Sequence, residues 1–109
     1  MNLMRRIREA KQAHQALRAE PATARNLAEK ATIFKPLKAL LDELWVATQT
    51  LPAQDRSVKA LHTAIRHLII DAEYFAGQND AEGFRDPSEV WAQYALLERA
   101  FATSAAAEE

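Results

Sequence analysis

The chain has 109 residues, 49% of them apolar and 27% charged, with two glycines, four prolines, no cysteine and a net charge of −1. That length makes one domain with a single modest core, and so little glycine and proline disfavours a strand-and-turn or disordered protein. The missing cysteine excludes disulfides, thiolate metal sites and thiol catalysis, and it fits a reducing compartment, so a cytoplasmic location is expected.

The near-zero total hides an asymmetry. Residues 1–38 hold nine Lys and Arg against three Glu, a net of +6, whereas residues 39–109 hold five against twelve acidic residues, a net of −7. The opening MNLMRRIREAKQ carries charge with no apolar run behind it, which does not fit a secretory signal. No stretch approaches the ~20 apolar residues of a membrane span.

A first helix is expected over about 2–19. Leu3, Ile7, Ala10, His14 and Leu17 share one face, while Arg5, Arg6, Arg8, Lys11 and Arg18 cover much of the remainder. Pro21 stops it or opens the next helix. Residues 22–51 carry one long helical pattern with a fault. Leu27, Ala31 and Phe34 lie on one face, and Leu37, Leu41, Leu44, Thr48 and Leu51 lie on another, with Leu40 and Trp45 at its edges. Pro36 falls in the step between the two faces and removes the amide that would bond the carbonyl of Thr32. A kink or break near 33–36, splitting the segment into two helices, is the expectation.

The most regular stretch is 55–77. Val58, Leu61, Ile65, Leu68, Ala72 and Phe75 alternate at three and four, and Ile69 and Ala76 widen the stripe. Asp55 suits an N-cap and Gly77 a C′ position. The clearest loop, GQNDAEGFRD, follows and contains both glycines. Asp86-Pro87-Ser88-Glu89 opens the last helix as a capping box with proline in its first turn, and Val90, Trp91, Tyr94, Leu97 and Phe101 form its inner face. The sequence therefore predicts an all-α fold: a small bundle of four to five helices around a central helix at about 55–76. A single domain covers 1–103, followed by a frayed tail at 104–109.

Candidate chemistry is sparse. His14 sits on an apolar stripe and is expected to be a packed residue with one hydrogen bond. His62 and His67 point about 140° apart around their helix and cannot share a metal. His67 and Asp71, four apart, are expected to form a surface ion pair. No paired nucleophile and base, glycine-rich phosphate loop or metal-ligand spacing is visible, so neither an enzyme nor a cofactor or metal site is expected. Residues 24–44 admit a helix-turn-helix reading, but it puts Thr32 at the turn position usually held by glycine and Lys38 in a core position. A kinked bundle helix explains the same residues.

Arg56 and His62 have five residues between them, as do Arg8 and His14. The first pair resembles the Arg-x(4–6)-His element of the helical ribonucleases called HEPN, themselves small bundles. The resemblance covers 56–62 and implies an RNA-cleaving site at Arg56 and His62; it stands third among the readings.

The leading expectation is a non-catalytic protein-binding module that uses Ile70, Tyr74 and the basic first helix: a regulator, inhibitor, adaptor or assembly subunit, with self-association as one form of it, the charge asymmetry favouring fast, salt-sensitive association. Ile70 and Tyr74 lie opposite the main stripe beside Thr63, His67 and Arg56, where a simple amphipathic helix would not place them. They mark a partner patch, which Leu96 would extend, or a helix covered on both sides. The alternative is a nucleic-acid-binding subunit, as of a ribonucleoprotein, using the basic region 5–38 through Arg5, Arg6, Arg8 and Lys11. Against it stand Glu9 in the same turn and the lack of interleaved aromatics for base stacking.

Overall fold

A computed structural model describes residues 3–19, 24–49, 55–78, 83–84 and 86–105, without the side chains of 24–27, 55–58 and 102–105. The described residues form four helices: α1 (Leu3–Ala19), α2 (Ala24–Thr48), α3 (Asp55–Phe75) and α4 (Pro87–Ala105). No strand occurs among the described residues. Each helix packs against its neighbours in chain order, and α4 closes back onto α1. Among the described residues the α1–α3 diagonal is in contact whereas α2 and α4 are not. Two helices, α1 and α3, thus share the centre, so the organising role is not α3's alone.

The core follows the apolar spacing. Ile7, Ala10 and Leu17 of α1 meet Phe34, Leu37, Leu41 and Leu44 of α2, Leu61, Ile65, Leu68 and Ala72 of α3, and Val90, Tyr94, Leu97 and Phe101 of α4. Each large aliphatic side chain buried here contributes roughly 1.5–3 kcal/mol. The expected core positions Leu27 and Val58 lie outside the described side chains, as do Leu51 and the residues of the expected turn at Pro21.

Of the two outcomes expected for the second segment, a kink or a break, the break does not occur. α2 runs unbroken through Pro36, so no turn divides 24–44 as a helix-turn-helix requires. Lys35 and Pro36 are exposed while Phe34 and Leu37 on either side are buried. The proline therefore removes a hydrogen bond on the exposed face, where Thr32 also lies, while the buried residues on either side hold the helix to the core. Thr32 stays exposed and returns its hydroxyl to the Ala28 carbonyl at 3.1 Å.

Termini follow local chemistry. Gly77 has φ 75°, a left-handed value suited to glycine. Its amide bonds Tyr74 O at 3.1 Å while Gln78 N reaches Glu73 O at 2.9 Å, a Schellman end to α3. Asp86 caps α4 by accepting the Ser88 amide at 2.9 Å, and that bond holds its carboxyl below the ordinary carboxylate range. α4 continues to Ala105, so Ser104 and Ala105 of the expected tail are helical; 106–109 lie outside the described residues. No helix among the described residues is long and apolar enough to cross a membrane.

Candidate functional site

The most unusual feature of the interior is ionic. Asp71 of α3 is fully buried, beside fully buried His14 of α1 and Tyr94 of α4. Its Oδ1 accepts Arg18 Nη1 at 2.7 Å and the Phe84 amide at 2.7 Å. Its Oδ2 accepts Arg18 Nη1 at 2.8 Å and lies 2.7 Å from His14 Nε2. Arg18 Nη2 also donates to the Phe84 carbonyl at 3.2 Å. Two side chains of α1, one of α3 and the backbone of the α3–α4 connection are thereby tied at one point. Burial pushes the Asp71 carboxyl up, but the bonds from His14, Arg18 and the Phe84 amide overcome it and hold the group below its ordinary value.

An ionised Asp71 only accepts, so His14 Nε2 carries the proton of their bond. The other ring nitrogen lies 2.8 Å from the Tyr94 hydroxyl. In a neutral ring Nδ1 accepts from that hydroxyl; in a protonated ring it donates, and the hydroxyl turns to the Ala10 carbonyl 3.4 Å away. Either charge state is satisfied, and no buried side-chain nitrogen or oxygen among the described residues lacks a partner. Tyr94 ionises well above its ordinary value, first because it is desolvated and then because Asp71 is negative.

The cluster is capped by close approach of the 83–84 segment. A Cβ on Gly83 would come within 2.6 Å of Asp71 Oδ1 and 3.2 Å of the Phe75 and Tyr74 rings. Only glycine leaves room there. The Arg18 guanidinium lies over the Phe75 ring at 4.2 Å, and the Lys30 ammonium stands 5.7 Å from the same ring. Lys30 is itself fully buried and donates to the Leu17 carbonyl at 2.9 Å, in the last turn of α1. A cation there meets the negative end of the helix.

Above this cluster the surface opens into a cleft of about 220 Å³ lined by His67, Ile70, Asp71, Gly83 and Phe84. Ile70 and Phe84 are half-buried, His67 is exposed, and Tyr74 stands 44% exposed. The His67 ring meets Phe84 edge-on at 5.8 Å, and Tyr74 meets Phe75 edge-on at 5.1 Å. The structure thus brings His67 and Ile70 to one cleft with Tyr74 exposed one turn beyond Ile70; the side chain of Arg56 lies outside the described ones.

Comparison with protein-family models, with curated proteins and with solved structures gave no match. The residues alone carry the functional argument.

Several sequence expectations change. Asp71 does not form a surface pair with His67; it turns inward, because Arg18, His14 and the Phe84 amide together replace its hydration. His14 is packed as expected but has partners on both nitrogens rather than one. Arg18, read as one of the cations off the apolar stripe of α1, has a side chain only 9% exposed. Leu96 does not stand outward; it is half-buried against the core. His62 is half-buried, stacked on Trp45 at 4.1 Å and hydrogen-bonded through Nε2 to Thr48, so it staples α3 to α2.

The basic face of α1 is partly spent. Arg6 makes a 2.6 Å ion pair with Glu43 of α2, and Arg5 lies 3.6 Å from Glu9. Arg8 is exposed and Lys11 half-buried. No group of three or more potential metal ligands occurs among the described residues.

The buried placement of Lys30 and Asp71 and the close approach of Gly83 were not read from the sequence. Two left a signal. Lys30 lies three after Leu27 and four before Phe34, and Asp71 lies three after Leu68 and four before Phe75. Charged residues at core spacing announce buried pairing.

Proposed function

We propose that this chain is a non-catalytic protein-binding module whose contact surface is the cleft formed by His67, Ile70 and Phe84 with the exposed ring of Tyr74. One observation carries the reading: the apolar side chains of Ile70 and Phe84, with the His67 ring, line an open cleft whose floor is pinned by the Asp71 cluster. A surface held rigid before contact loses little entropy on binding. At about 220 Å³ the cleft falls below the range of ~300–1,000 Å³ usual for small-molecule sites; it suits a single anchoring side chain. His14, Asp71 and Tyr94 have the order of a base with its orienting carboxylate and a hydroxyl, yet all three are fully buried, and Tyr94 is harder to ionise than usual. These facts favour a structural role over catalysis.

Against the nucleic-acid reading stand the pairing of Arg6 with Glu43 and the closeness of Arg5 to Glu9. Against the HEPN-like reading stands the engagement of His62 by Trp45 and Thr48. The test is a pull-down from native-host lysate, with and without nuclease, using the wild-type chain, Ile70→Asp and Tyr74→Ala. A protein partner retained after digestion by wild type and lost from both variants is the expected result. Retention by folded variants, or loss of the partner on nuclease treatment, refutes the proposal.

A further inference from the structure

The outer face of α3 is chemically divided. Lys59, Thr63, Arg66, Ile70 and Tyr74 follow one another at three- and four-residue steps, so they share a strip about 22 Å long. Lys59, Thr63, Arg66 and His67 are exposed, and the strip ends in the cleft at Ile70 and Phe84. Residues 39–109 carry only five basic residues against twelve acidic ones, and three of those five, Arg56, Lys59 and Arg66, fall at this helical register. Two acidic residues fall between 59 and 74: Asp71, fully buried under the cleft with its oxygens engaged, and Glu73, half-buried at the edge of the strip. Among the described residues neither Lys59 nor Arg66 takes part in an ion pair. An otherwise acidic portion of the chain thus concentrates positive charge beside its apolar cleft.

Resting on the reading of this surface as a protein contact, we infer that its occupant is an acidic segment of a partner protein carrying one apolar anchor residue. The anchor enters between Ile70 and Phe84. Carboxylates farther along the partner meet Arg66 and Lys59, about one and three turns of α3 from Ile70. The cleft fits one side chain and the strip supplies opposite charge along a single direction, so both the position and the orientation of the segment are fixed. The small cleft excludes a bulky cofactor, and the ionised floor, Asp71, has its oxygens fully engaged and adds no unpaired negative charge to the contact. An extended segment needs roughly seven residues to run 22 Å, so a twelve-residue peptide spans the strip with margin.

The experiment is selection of twelve-residue peptides displayed on phage against the immobilised full chain, then fluorescence polarisation of the consensus peptide. The expected consensus places at least two Asp or Glu on one side of an aromatic or aliphatic residue. Replacing that residue by Ala, or Ile70 by Glu, weakens binding at least about tenfold, and Lys59→Glu with Arg66→Glu weakens it about tenfold and flattens its salt dependence. Circular dichroism establishes that the variants fold, and the double charge reversal, at exposed positions, keeps the test decisive if Ile70→Glu does not. A neutral or basic consensus still lost with Ile70→Glu overturns the acidic-partner inference and leaves the contact surface standing. An acidic consensus indifferent to Ile70→Glu overturns both. Failure to enrich any peptide, or equal binding to the charge-reversed chain, overturns the inference.

Discussion

Replacing Asp71 by Ala removes the carboxylate on which Arg18, His14 and the Phe84 amide converge. The change strands the Arg18 guanidinium, whose side chain is 9% exposed, together with the Nε2 proton of His14 and the Phe84 amide. Removing one side of a buried ion pair costs roughly 3–5 kcal/mol. At about 4 °C per kcal/mol for a domain of this size, Tm falls by roughly 12–20 °C. Asp71→Asn keeps an acceptor for the Phe84 amide but loses the charge facing Arg18, so it falls between Ala and wild type. Asp42→Ala is the control: its 2.9 Å pair with Lys38 is exposed, and such pairs contribute about 0.3–0.5 kcal/mol.

The pH dependence has a definite sign. The folded pKa of Asp71 is depressed, so its contribution is fully present above the unfolded value of about 3.9. It is lost as pH falls through the lower folded value. Urea denaturation from neutral to acid pH should therefore show wild type and Asp71→Ala converging in acid. A neutral-pH difference below about 1 kcal/mol, the scale of an ordinary hydrogen bond, or a gap that does not narrow in acid, refutes the buried-cluster argument.

Three further outcomes are expected. Gly83→Ala forces a Cβ to 2.6 Å from Asp71 Oδ1 and costs roughly 1–3 kcal/mol by urea denaturation; native-like stability would mean that 83–84 does not lie on the cluster. Tyr94→Phe removes a group whose folded pKa is raised. Tyr94's contribution is complete below its unfolded pKa of about 10 and drains away as pH rises toward the folded value, so melting curves above pH 10 should fall more steeply for wild type than for the variant. His62→Ala loses the stack on Trp45 and the Thr48 bond, worth together roughly 1.5–2.5 kcal/mol. It should also leave any RNA-cleaving activity of the preparation unchanged; activity that disappears with His62 in a folded variant would restore the HEPN-like reading.

The helices were legible because helix formation is local. The spacing of Ile7, Ala10 and Leu17, of Leu37, Leu41 and Leu44, of Leu61, Ile65 and Leu68, and of Val90, Tyr94 and Leu97 needs no partner to be read. Gly77 and Asp86 marked their termini for the same reason, since a left-handed residue and a capping carboxylate act within one turn.

Tertiary structure decided the rest. Whether Pro36 breaks a helix depends on which face it occupies, and the core contacts of Phe34 and Leu37 set that face. Whether Asp71 stands in water or inside depends on Arg18 and His14, 53 and 57 residues away. A buried charge is tolerated only when its partners are already in place, and sequence spacing within one helix carries no record of what the opposite helix supplies. The cleft is likewise a product of packing: Gly83 and Phe84 come from a connection, and their approach to Asp71 of α3 exists only once the bundle has closed.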